Sequence, residues 1–146
     1  MSVYVALLRG VNVGGRGKVD MRELKRSFER LGCSDVATYI NSGNVIFRDR
    51  RKASTLTRLL EQDLGRRVAV RSLADVQALC DSISEQWTND TEQKTDVAFL
   101  LDDRGEKVWH ARRADLPDRY THDWGAEVTV RNVNTVRKLR ELMEAL

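Results

Sequence analysis

The sequence has little of what marks a specialised chain. Among 146 residues there is one proline (Pro117), two cysteines (Cys33 and Cys80) and two histidines (His110 and His122). A single proline excludes a proline-rich tract or linker. Two cysteines with no CxxC pair exclude a disulfide framework, and each lies in an apolar helical context, so two reduced and buried thiols are expected. No apolar run approaches the roughly 20 residues of a membrane span. The first residues carry no signal-peptide pattern, so a cytoplasmic protein without a membrane partner is expected. Low-complexity and coiled-coil patterns are also missing.

Charge is present in quantity and unevenly placed. Residues 1–71 carry 15 Lys/Arg against 7 Asp/Glu, a net +8, whereas residues 72–146 carry 10 against 15, a net −5. A basic half fits a polyanionic partner such as nucleic acid or a phosphorylated small molecule. It fits equally an internal interface, or a homo-oligomer, in which the basic half meets the acidic one.

Hydrophobic periodicity sets out the elements. Residues 3–9 are almost wholly apolar and predict a central strand. From Asp20 the pattern turns helical: Met21, Leu24, Phe28 and Leu31 share a face, Asp20 and Glu23 read as a capping box, and Gly32 ends the helix. Strands are expected at 36–40 and 44–48, joined by the turn Asn41-Ser42-Gly43-Asn44. A helix over 53–64 ended by Gly65 and a strand over 66–71 close the unit.

The order β-α-β-β-α-β is that of a ferredoxin-like split unit, with an antiparallel sheet of order 4-1-3-2. The fold class is therefore α+β: a ferredoxin-like unit over 1–71 and a reduced second α+β unit over 72–146 packed against it. In the second unit the pattern predicts a helix from Ser72 to Ile83 with Ser72 and Asp75 as caps. Strands are expected at 96–101, 107–111 and 126–131, with a closing helix capped by Asn134. Trp87, Trp109 and Trp124 are expected to seal the junction of the two units.

The topology brings the exit of the first strand, the hairpin and the turn before the fourth strand to one end of the sheet. Four glycines and three cations occupy that first exit, Arg9-Gly10-Val11-Asn12-Val13-Gly14-Gly15-Arg16-Gly17-Lys18. Arg9, Asn12, Gly14, Gly15, Arg16 and Lys18 form one wall of a candidate anion site, with glycine freeing backbone amides. Asn41, Ser42 and Asn44 form a second wall, and Arg66 and Arg67 a third. The start of the helix after Asp20 adds its dipole, although the Asp20 carboxylate competes for the same amides.

Named phosphate motifs do not fit. A P-loop needs glycine where Asn12 stands and Ser or Thr where Val19 follows Lys18, and a GxGxxG reading fails at Asp20. Ser42 lacks the strand-to-helix elbow of a hydrolase nucleophile. Asp115, Asp118 and Asp123 near His122 read as well as surface residues as they do as a metal or acid–base cluster. Neither a metal nor a cofactor is implied. Tyr4 and Phe47 are the aromatics that the central strands offer for base stacking, against which stands burial of the open sheet face under the second unit.

Three stretches, ALLRGVNVGGRGKVDMREL, TYINSGNVIF and VTVRNVNTVRKL, resemble the bacterial family catalogued as domain of unknown function 1697. The resemblance implies two ferredoxin-like units in tandem, with no established reaction or cofactor. The 26 residues at 102–127 are too few for the two helices and two strands that it implies there, so a shortened second half is expected.

The sequence thus leads to a non-enzymatic binding protein for a phosphate-bearing ligand, nucleic acid among the candidates. The alternative is a small-molecule enzyme with its pocket between the halves, where Asn12, Asn41 and Asn44 orient a substrate and Ser42 or a carboxylate acts on it.

Overall fold

A computed structural model describes residues 1–10, 20–39, 43–102 and 105–146. Among these the first unit comprises β1 (Ser2–Leu8), α1 (Met21–Arg30), β2 (Ser34–Tyr39), β3 (Asn44–Asp49), α2 (Ala53–Leu64) and β4 (Val68–Ser72). Its sheet is antiparallel and runs β2-β3-β1-β4, the expected order read from the other edge. The second unit follows as α3 (Leu73–Ser82), β5 (Gln93–Leu100), β6 (Glu106–Arg112), a 3-10 turn at Arg113–Asp115, β7 (Val128–Asn132) and α4 (Val133–Glu144). Its three strands run β6-β5-β7, all antiparallel. No described helix is long and apolar enough to cross a membrane.

Two apolar layers explain why β1 reads as an unbroken apolar run. On one face Tyr4, Ala6, Leu8, Phe47 and Val70 pack against Leu24 and Phe28 of α1 and Leu56 and Leu60 of α2. On the other, Val5, Leu7, Ile46 and Ala69 pack against α3, α4 and the inner face of the second sheet through Val76, Val97, Phe99, Val136 and Met143. The second unit therefore covers the open face of the first. Tyr4 and Phe47 stand on the helix side, their rings 5.7 Å apart, with Phe28 edge-on to Phe47 at 5.3 Å. That placement overturns them as a stacking platform: both faces of the strand are buried, so its composition does not reveal which face an aromatic takes.

The caps depart from expectation in detail. Asp20 accepts from the Arg22 amide, one residue before the position that a capping box would use. Ser72 and Asp75 do form a reciprocal box. Asn132, not Asn134, caps α4 by accepting from the Thr135 amide. Asn134 instead donates to the Asn89 carbonyl at 2.7 Å and secures the 84–92 loop.

The tryptophans do not fill the junction, whose buried core holds Phe99 as its aromatic residue among aliphatic, Met and Cys side chains. Trp87 stacks on His110 at 4.4 Å and stays exposed. Trp109 stacks on Tyr120 at 5.5 Å and meets the tilted His122 ring at 4.9 Å, so the 116–127 segment folds back over the second sheet.

Both cysteines are free and buried. Burial, with the neighbouring Asp49 carboxylate, pushes the Cys33 thiol up to about 12. Asp49 is itself buried and is gripped by Arg51, whose backbone amide, Nε and Nη2 donate to it at 2.8–2.9 Å. The Arg51 hydrogen bond holds the Asp49 carboxyl below its ordinary value. The same guanidinium donates to Leu31 O at 2.6 Å and fastens the end of α1.

A carboxyl depressed in the fold contributes stability above its unfolded value, near pH 4, and loses it as pH falls through the folded value. Asp49→Asn should therefore cost about 2 kcal/mol at neutral pH, the scale of charge-assisted bonds. The gap to wild type should close under acid. Urea midpoints of both proteins against pH check this, and a gap that persists below the folded value contradicts it.

Candidate functional site

Hydrogen bonds hold the three predicted turns at one rim. The Leu8 amide donates to Gly43 O at 2.9 Å, joining the β1 exit to the hairpin. The Arg9 amide donates to Arg67 O at 3.0 Å, joining it to the turn before β4. Arg66 Nη1 donates to Gly10 O at 2.8 Å. Gly10 and Gly43 have φ of 76° and 78°, left-handed values that a side chain would strain. Asp20 and Glu23 line a depression of about 290 Å³ together with Leu8 and Arg66, so the start of α1 also lies at this rim.

The sequence-derived site residues divide sharply. Asn12, Gly14, Gly15, Arg16, Lys18, Asn41 and Ser42 lie outside the described residues. Arg9 and Arg66 are at the rim, and Arg9 is exposed. Arg67 faces carboxylates: Nη1 is 2.9 Å from Glu127, Nε is 3.4 Å from Glu61, and Nη2 binds Asp102. Glu127 first, then Asp102, raises the Arg67 pKa, so its charge is met within the protein. Asn44 is fully buried, its Nδ2 donating to Tyr39 O at 3.1 Å and its Oδ1 accepting from Arg131 Nε at 2.7 Å. It supports the rim from beneath. At the α1 N-terminus the Asp20 carboxylate occupies the Arg22 amide and so competes with an anion for the helix start.

Arg131 is not among the sequence-derived site residues. It extends from β7 across the junction, where Nη2 donates to Leu8 O at 3.0 Å and Nη1 to Thr129 Oγ1 and Val130 O at 2.9 Å. One guanidinium thus ties the β1 exit, the hairpin and the second sheet together. Burial pulls its pKa down to about 10, which leaves it charged at neutral pH. The only sequence signal was its place in VTVRNVNTVRKL, just before a helix cap.

Between the β1 exit and the 122–131 segment opens a cleft of about 500 Å³. Leu8, Arg9 and Gly10 form one side and His122, Asp123, Trp124 and Arg131 the other. Of the acidic residues near His122, Asp115 binds Arg112 and Asp123 accepts from the Gly125 amide. His122 Nδ1 lies 3.0 Å from Tyr120 Oη. Among the described residues no three His, Cys, Asp or Glu side chains are grouped to hold a metal ion.

A family model, DUF1697, protein of unknown function, matches residues 1–128. The chain belongs to the DUF1697 family. The match includes the glycine-rich bend, the hairpin and His122 and Trp124 of the cleft, and stops short of Arg131. The conserved bacterial protein SP0830 from Streptococcus pneumoniae has a solved structure similar to this DUF1697 chain, with TM-score 0.77 and 23% identity. The likeness covers 97% of this chain and 98% of that one, and it shows a shared fold. No curated protein matches the chain.

Electrostatics across the junction account for part of the uneven charge. Arg67 and Arg71 of the basic half meet Asp102, Glu106 and Glu127 of the acidic half. These are internal pairs, and they reduce the cationic surplus left for a partner. At the rim stand exposed Arg9, which lines the open cleft, and Arg66, which donates to Gly10 O.

Proposed function

We propose that this DUF1697 chain is a binding protein for a phosphate-bearing ligand, nucleic acid among the candidates, which it takes at the rim of the β1 exit. The observation that carries the reading is the joining of Leu8, Arg9 and Gly10 to Gly43, Arg67 and Arg66, which gathers the three turns at one rim and sets Arg9 and left-handed Gly10 on the wall of a cleft. Gly10 and Asp20, on either side of the basic glycine segment, both belong to this rim. Arginine guanidinium groups and backbone amides suit phosphate oxygens, and their pull weakens with salt. Arg67 no longer belongs to the set, because three carboxylates already neutralise it.

The test is titration of a single-stranded oligonucleotide over a range of salt with wild type and an Arg16→Ala/Lys18→Ala variant. Two lost phosphate contacts should lower affinity at least tenfold and reduce the slope of log affinity against log salt by about 1.4. Equal affinity and slope for the double variant would remove the proposal. The enzymatic alternative gains nothing from the geometry, since the Asn44 amide that it needs for substrate is engaged by Tyr39 and Arg131.

A further inference from the structure

We propose that the cleft beside the rim is a nucleoside pocket, so that the phosphate-bearing ligand is a nucleotide whose base lies against Trp124 while its phosphate faces Arg9. The inference rests on the rim reading above and names its ligand class. At about 500 Å³ the cleft has the size of a small-ligand site and room for one nucleotide.

Its chemistry selects a flat, aromatic anion. Leu8 and Val128 supply an apolar lining, and His122 and Trp124 supply rings. The two rings meet at 66° with centroids 4.6 Å apart, an edge-to-face contact. His122 therefore covers at most one face of the Trp124 indole, and no other described ring touches Trp124. Trp124 is only half-buried, so a base stacked on it would complete the burial of its free face. The ring is also held firmly: His122 packs on Trp109 at 4.9 Å, and the Asp123 carboxylate, which accepts from the Gly125 amide at 3.0 Å, fixes the turn that carries it.

Charge sets the polarity of the ligand. Two arginines, Arg9 and Arg131, line the cleft against the single carboxylate of Asp123. Arg131 already donates to carbonyls, so it contributes positive potential and shape, and exposed Arg9 is the group that meets phosphate. A sugar phosphate would satisfy Arg9 and leave the indole bare. A nucleotide satisfies both.

Calorimetric titration of wild type with AMP, UMP, ribose 5-phosphate and pyrophosphate tests the pocket. The nucleotides should bind about tenfold or more tightly than ribose 5-phosphate, the scale of one base stacked on an aromatic side chain. Trp124→Leu should bring them down to ribose 5-phosphate affinity with pyrophosphate binding unchanged, Trp124→Phe should retain most of the difference, and Trp87→Leu should behave as wild type. Unchanged urea midpoints certify that the variants are folded. Equal binding of nucleotides and ribose 5-phosphate, or wild-type nucleotide affinity in Trp124→Leu, overturns the pocket and leaves the rim reading standing. Failure of every phosphate compound to bind overturns both. A 5′-phosphorylated hexanucleotide separates the two sources of the same chemistry: tighter binding than AMP assigns the pocket to a strand end, and equal or weaker binding to a free nucleotide.

Discussion

Arg71→Ala should lower folding stability by about 3–5 kcal/mol, the cost of breaking a buried ion pair by removing one partner. Arg71 lies opposite Val5 in the first sheet, on the face that packs against the second unit, and only 4% of it is exposed. Its Nε donates to Glu106 at 2.9 Å, its Nη2 to Leu100 O at 2.8 Å, and its guanidinium lies 5.8 Å from the Phe99 ring centre. Truncation removes the charge that faces Glu106 and leaves buried carbonyls to be satisfied some other way. Glu106→Gln keeps an acceptor and turns a charge-assisted bond into a neutral one, so it should cost only about 1–2 kcal/mol. Urea unfolding of the two variants checks the ranking. A loss below about 1 kcal/mol for Arg71→Ala would mean that this pair does not hold the units together.

Arg131→Ala should cost about 3 kcal/mol and weaken ligand binding as well, because one side chain carries several charge-assisted bonds to buried acceptors. Asn44, Leu8 O and Thr129 would all lose a donor at once. Arg131→Lys should recover less than half of the loss, since a single ammonium lacks the planar fork that spans those acceptors. The sign of the pH dependence follows from a base depressed in the fold. Between about 10 and the ordinary arginine value the unfolded chain holds more protons, so stability attributable to Arg131 rises with pH there and is flat through the neutral range. Urea midpoints of wild type and Arg131→Ala should keep a constant separation from pH 6 to about 9. A separation that changes across that range would show that Arg131 is not the charged clasp described.

How much of this was legible in the sequence follows from the range of each interaction. The first unit was readable because its signals are local: a 3.6-residue stripe in α1 and α2, a glycine turn and apolar strands place each element without reference to the others. The common rim was readable too, since topology alone brings those turns to one end of the sheet. Ion pairing was not. Arg67 gathers Glu61, Asp102 and Glu127, and Arg131 reaches Asn44 across 87 positions, with no periodicity to announce either. The sides taken by Tyr4 and Phe47 were hidden for a different reason, because a strand covered on both faces loses its alternation. Tyr120, His122 and Trp124 lie in a segment with no helix or strand and gather on Trp109 of β6, so side-chain packing alone sets the path of that segment.

The most direct measurement is an amide-shift titration of the 15N-labelled protein with pyrophosphate. Binding at the rim predicts that the amides of Leu8, Arg9, Gly10 and Gly43 move together and saturate at one ligand per chain, with the amides of exposed Lys25, Arg26 and Arg30 further along α1 staying in place. Movement centred on α1, or no saturable movement at the rim, would contradict it.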